Sequence, residues 1–139
     1  MVKKLSALIL VLYMGVVFCL SVIPDAGTGH TLLAIVPKTV QKLGHLLAFG
    51  FLALLWILTL RVHGVAEYHS VRIALILSSG YGAMTELYQI WVPGRSSSLW
   101  DLLVDIAGSL LFIALYRKVT REGFFTLGKC ISHVQHSDS

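Results

Sequence analysis

The stretch Glu86-Leu87-Tyr88-Gln89-Ile90-Trp91-Val92-Pro93-Gly94-Arg95-Ser96-Ser97-Ser98-Leu99-Trp100-Asp101-Leu102-Leu103-Val104-Asp105-Ile106-Ala107-Gly108 decides how this chain folds. Pro93-Gly94 is a turn signal set between two long apolar runs. Four ionisable residues, Glu86, Arg95, Asp101 and Asp105, interrupt what is otherwise apolar sequence. If the flanking runs lie in lipid, those charges are costly and need partners, protons or a ligand.

Lipid is the solvent that the composition implies. Apolar residues make up 56% of the 139 positions and charged residues only 13%, with a mean hydropathy of +0.80. A soluble domain carries about 25% charged residues, and a chain this short cannot bury so much apolar surface from water. The net charge of +4 is then a matter of topology, and nucleic-acid binding is excluded as the main function. Cys19 lies in an apolar run and Cys130 in a polar one, so neither a disulfide framework nor a cysteine metal site is expected.

Working outward from the opening stretch gives four apolar segments: Leu5–Ile23, Leu43–Leu60, Ile73–Val92 and Leu99–Tyr116. Each approaches the ~20 residues that cross ~30 Å of hydrocarbon, and only helices satisfy their own backbone there. Lys3 and Lys4 before Leu5 imitate a signal peptide. The 19-residue run is too long for one, no small-x-small site follows it, and Phe18 before Cys19 is too large for lipoprotein-type cleavage, so a retained first span is expected. The division is residues 1–37 as first span and outer loop, 38–118 as a three-span core, and 119–139 as a mobile basic tail.

Lysine and arginine orient the bundle. One side holds Lys3, Lys4, Arg61, Arg72, Arg117, Lys118, Arg121 and Lys129; the other holds only Lys38, Lys42 and Arg95. The positive-inside rule puts the larger group in the cytoplasm. The expectation is an all-α integral membrane protein with four transmembrane helices and both termini cytoplasmic. Trp91 and Trp100 then fall at the outer interface, where aromatic residues gather.

Helical spacing collects the polar residues. Gly82, Glu86 and Gln89 stand at i, i+4, i+7, and Asp101, Asp105 and Gly108 repeat that spacing. Lys38, Lys42, His45 and Phe49 share a face if the second helix begins that early. At 1.5 Å per residue, Glu86 and Asp105 each lie roughly 9 Å below the outer end of their helix. Each acidic stripe carries a glycine one turn deeper, which allows close packing. Ser96, Ser97 and Ser98 are candidates to cap the fourth helix.

Three kinds of chemistry suit this set. Polar groups can lock helices together, with Arg95 paired to Asp101 and His45 to Glu86. Alternatively Lys42, Gln89, Arg95 and Asp101 can bind a ligand, Arg95 and Lys42 taking the phosphate of a lipid headgroup whose chain stays in the bilayer. Or His45 can serve as a general base, with Glu86 and Asp105 orienting it or chelating a divalent cation with it. No nucleophile elbow, phosphate loop or close-spaced metal motif is present, and no cofactor follows from the sequence.

Four pieces in order resemble the VanZ-like family of small bacterial membrane proteins. They are Lys42-Leu43-Gly44-His45-Leu46-Leu47-Ala48-Phe49-Gly50, Glu86-Leu87-Tyr88-Gln89, Pro93-Gly94-Arg95, and Asp101 with Gly108. They are similar to the family's Lys-x-x-His-x-x-x-Phe-Gly, Glu-x-x-Gln, Pro-Gly-Arg and Asp-x-x-x-Asn-x-x-Gly pattern, with Asp105 where the family usually has Asn. The resemblance implies a multi-pass protein of a bacterial inner or plasma membrane that acts at the cell envelope. It also implies a contribution to resistance of the teicoplanin type. The expected partners are the lipid bilayer and an anionic lipid, a lipid-linked cell-wall precursor or the lipoglycopeptide itself. The alternative is a membrane-embedded hydrolase or transferase acting on a phospholipid or polyprenyl-linked substrate.

Overall fold

The computed structural model describes the backbone of residues 1–23, 38–92 and 98–135, and the side chains of residues 1–23, 39–92 and 98–122. Every regular element among the described residues is a helix: α1 Val2–Ser21, α2 Lys38–Val62, α3 Glu67–Gln89 and α4 Leu99–Gln135. The all-α architecture is as expected.

The element ends have local causes. α1 stops just short of Pro24, whose ring pushes the preceding residue away from helical conformation. α2 closes on Gly64, which sits at φ +90°, in the left-handed region that a side chain disfavours. The Gly64 N–H donates to the Arg61 carbonyl and the Val65 N–H to the Leu60 carbonyl, both at 3.0 Å. These are the paired bonds that end a helix and satisfy its last carbonyls. α3 then starts at Glu67, six residues before the apolar run that marked it in the sequence.

α4 runs on past Tyr116, where the apolar pattern stops. Arg117, Lys118, Arg121 and Glu122 are good helix formers, and Lys118 Nζ lies 3.9 Å from Glu122 Oε1 at i, i+4. Loss of hydropathy marks the end of an apolar span, but it is not a helix stop signal.

α2 is central and packs against each of the other three, while α1 leans chiefly on α2. Toward the end where α2 finishes and α3 begins, the core is Ala53, Ile57, Val71, Ala74 and Ile113. Nearer the other end, Leu10, Val17, Phe49 and Leu52 form a second cluster with Tyr13 and Tyr81 beside it. Apart from Val71, the buried face of α3 is made of small or polar residues: Ser70, Ala74, Ser78, Gly82, Thr85, Glu86 and Gln89. Small side chains let backbones approach and let polar groups reach across.

Three helices are long and apolar enough to cross a membrane: Val2–Ser21, Thr39–Val62 and Leu99–Glu122. α3 has the length but not the composition, since Glu67, Arg72 and Glu86 and its polar stripe lower its hydropathy. Large apolar residues project from every helix, among them Leu8, Phe51, Ile76 and Leu111, as lipid contact requires.

Candidate functional site

The polar residues gather at one end of the bundle, where α3 ends and α2 and α4 begin. Three helices supply them. His45 comes from the second turn of α2, Glu86 and Gln89 from the last turn of α3, and Asp101 and Asp105 from the first two turns of α4.

His45 and Asp105 are the closest pair. His45 Nδ1 faces Asp105 Oδ1 at 3.1 Å. The Asp105 side chain is fully enclosed, while that of His45 keeps 21% of its surface open. His45 therefore offers a route from outside to an otherwise closed group. Its ring stacks on Phe49 one turn below, with centroids 6.3 Å apart. The expected pairing of His45 with Glu86 is not what forms. Helical spacing fixes the face on which His45 lies, and the rotation of α4 against α2 brings Asp105 to it instead.

Glu86 has a different partner. Its Oε2 accepts the Ser98 N–H at 3.0 Å, so the carboxylate covers the start of α4. The Ser98 carbonyl accepts from the Asp101 and Leu102 N–H groups, which makes Ser98 the residue that opens the helix. A carboxylate at this position satisfies an orphan donor and lies favourably against the helix dipole. Ser98 was an expected cap; Ser96 and Ser97 lie outside the described residues.

Glycine makes the convergence sterically feasible. A Cβ on Gly82 would stand 3.0 Å from Asp105 Oδ2 and 3.3 Å from Phe49 Cε1. A Cβ on Gly108 would run into the backbone carbonyl of Leu46. Both glycines of the acidic stripes therefore sit at close approaches, one beneath the site and one at the α2–α4 crossing. Ser109, one turn below Asp105, donates to the Asp105 carbonyl at 3.0 Å and lies 3.3 Å from the Phe49 carbonyl. Sequence reading passed over Ser109. The i+4 spacing from Asp105 was the available signal.

Several polar atoms here are enclosed without a hydrogen-bond partner: Glu86 Oε1, Gln89 Nε2 and Asp105 Oδ2. Enclosed polar groups are ordinarily satisfied, so each exception needs a reason. One donor atom from each of His45, Glu86 and Asp105 lies within 4.8 Å of the other two. Asp101 is partly buried one turn above Asp105, and Lys42 is exposed one turn before His45 on α2. Arg95, with Pro93 and Gly94, lies outside the described residues. Thus His45, Glu86 and Asp105 come together, Gln89 and Asp101 flank them, and Lys42 stands at the rim.

Such an arrangement can lock three helices, hold a cation, or present an oriented imidazole to a bound molecule. A family model described as VanZ/LLP1 matches residues 7–121 of the chain. No curated protein and no solved structure gives a match.

Proposed function

The chain belongs to the VanZ/LLP1 family, and on that premise we propose that it is a multi-pass protein of the bacterial cell membrane that engages an anionic lipid, a lipid-linked cell-wall precursor or a lipoglycopeptide at its polar end. Its contribution at the envelope is resistance of the teicoplanin type. In this reading α3 is the fourth span, its polar stripe turned into the bundle and away from lipid. Its 23 residues extend about 35 Å, enough to cross. Both termini are cytoplasmic, residues 38–118 form the working core, and the polar end opens outward.

The observation that carries the proposal is the enclosed His45–Asp105 pair, reachable from outside through the open edge of His45. Polar groups inside an apolar bundle are expensive, and their usual return is function. A headgroup at the rim meets Lys42 and Arg95 as phosphate ligands, with Gln89 and Asp101 as hydrogen-bond partners. Its chain lies along the apolar flanks of the helices. Native mass spectrometry of the protein with undecaprenyl phosphate and with phosphatidylglycerol tests this. Bound lipid that falls at least tenfold in Lys42→Ala and Arg95→Ala is expected, and unchanged binding in both variants overturns the reading. In a teicoplanin-susceptible bacterium, expression of the chain raises the inhibitory concentration and the same variants do not.

The His45–Asp105 geometry also favours a second reading, a lipid hydrolase or transferase. An aspartate on Nδ1 fixes the imidazole tautomer and leaves Nε2 free to take a proton. Turnover of a labelled phospholipid or polyprenyl phosphate that stops in His45→Ala supports it. No turnover across both substrate classes, with and without divalent cations, counts against it.

A further inference from the structure

We infer that His45, Glu86 and Asp105 hold a first-row divalent cation, of the Zn²⁺ or Mn²⁺ kind, between α2, α3 and α4. The cation presents its open coordination position to the phosphate of the bound lipid. This last step rests on the lipid reading above; the metal site itself rests on its own geometry.

Three observations converge. The first is placement. Each of the three residues offers a donor atom within 4.8 Å of the other two. Donors about 2.1 Å from a tetrahedral zinc lie about 3.4 Å apart, and His45 Nδ1 and Asp105 Oδ1 already stand at 3.1 Å. Bringing three donors from at most 4.8 Å apart onto one ion takes an inward shift of about 0.7 Å each. Small torsional changes supply that.

The second is the pair of leftover oxygens. Glu86 and Asp105 are 5% and 0% exposed, and Glu86 Oε1 and Asp105 Oδ2 have no hydrogen-bond partner. A carboxylate has four lone-pair sites to satisfy. Ser98 N–H takes one on Glu86 and His45 one on Asp105, and nothing described takes the rest.

The third is charge. Two enclosed carboxylates repel, and a third, on Asp101, is one turn away. Among the described residues no lysine or arginine pairs with any of them; the ion pairs there are His45–Asp105 and Lys118–Glu122. A divalent cation neutralises both carboxylates at once. Imidazole with two carboxylates is a borderline donor set that suits Zn²⁺ or Mn²⁺, whereas Ca²⁺ asks for six to eight oxygens. Three protein ligands leave a fourth position, and His45 is the one of the three whose side chain keeps surface open, 21% of it. With both carboxylates neutralised, the site no longer repels an anionic headgroup, and the cation keeps a coordination position that a phosphate oxygen can take. Binding displaces any proton on His45 Nδ1, so occupancy falls with acidification.

The test uses the full chain without a histidine tag, stripped with chelator in detergent. Zn²⁺ uptake is followed by calorimetry with elemental analysis, and Mn²⁺ uptake by electron paramagnetic resonance. One ion per chain is expected. Glu86→Gln and Asp105→Asn each weaken binding at least tenfold, and Lys118→Ala, at the far end of the bundle, leaves it unchanged. Circular dichroism confirms that each variant is folded. Should one variant not fold, the other decides. No uptake by the wild type, or equal uptake by a folded Glu86→Gln, overturns the site. Undecaprenyl phosphate binding is then compared with and without metal. Metal uptake without lipid binding supports the cation and removes only the lipid reading. Lipid binding that is the same in metal-free protein overturns the bridging role.

Discussion

His45 and Asp105 stand sixty residues apart in the chain and 3.1 Å apart in the fold. The contact joins α2 to α4 at the depth where Glu86 of α3 also arrives, so one pair organises three helices. It is also where an enclosed carboxylate depends on a single described side-chain partner. Both oxygens of Asp105 become orphans if His45 is removed, since Oδ2 already has none.

That dependence predicts an asymmetry. His45→Ala strands a buried carboxylate and should cost about 1–3 kcal/mol or more. Asp105→Asn, which keeps the shape and removes the charge, should cost less. Adding Asp105→Asn to His45→Ala should recover part of the loss, giving a coupling of about 0.5–3 kcal/mol. Thermal unfolding of the four proteins in one detergent measures the cycle. A coupling near zero means that the pair does not contribute in the folded bundle.

Glu86 should separate fold from function. Its Oε2 covers Ser98 N–H, and the other oxygen is unpartnered. Glu86→Ala removes the cover and should cost about 1 kcal/mol, the usual loss at a helix start. Glu86→Gln keeps an acceptor for Ser98 and should leave stability nearly unchanged. Hydrogen exchange at the first turn of α4 reports the difference: faster in Ala, close to wild type in Gln.

The stripes of this site were legible because helical period is a local property. Gly82, Glu86 and Gln89 fall on one face by spacing alone, and all three are buried there. Asp105 and Gly108 are buried likewise, with Asp101 partly so. The choice of partner was not legible. Spacing gives the face of a helix, while His45 meeting Asp105 and not Glu86 depends on how α2 and α4 are rotated against each other. The reach of α4 to Gln135 was hidden for a different reason: hydropathy reports the solvent, and Arg117, Lys118, Arg121 and Glu122 are charged yet helix-forming. The polar part of the attachment of α1 was also out of reach, because beside the Leu10 and Val17 packing it is made by hydroxyls bonding to carbonyls of distant turns.

That attachment gives a third prediction. Tyr13 Oη donates to the Ala48 carbonyl of α2 at 3.0 Å, and Tyr81 Oη of α3 donates to the Met14 carbonyl of α1 at 2.6 Å. Tyr13→Phe and Tyr81→Phe keep the rings and remove the bonds. Each should cost about 0.6 kcal/mol, the average for such bonds inside a membrane bundle. The double variant should loosen α1 before the rest. Protease cleavage near the α1 end at a lower temperature than global unfolding would be the sign.

The fourth prediction contrasts a glycine of the acidic stripe, Gly108, with Gly44 of α2. Gly44 and Gly108 both lie inside helices, and Ala is the better helix former at either by about 0.5–1 kcal/mol. Their surroundings differ completely. A Cβ on Gly44 meets nothing within 4 Å, whereas one on Gly108 meets the Leu46 carbonyl and the backbone atoms behind it. Backbone cannot swing aside as a flexible side chain can, so α2 and α4 must separate. Separation pulls His45, one residue from Leu46, away from Asp105, three residues from Gly108. Gly108→Ala should therefore lose about 1–3 kcal/mol through overpacking and weaken the His45–Asp105 coupling as well. Gly44→Ala should be neutral or gain up to about 1 kcal/mol from propensity alone. Unfolding midpoints of the two variants, with the double-mutant cycle repeated in the Gly108→Ala background, decide the matter. Equal effects from both substitutions would show that the α2–α4 crossing is not the close contact that holds the site together.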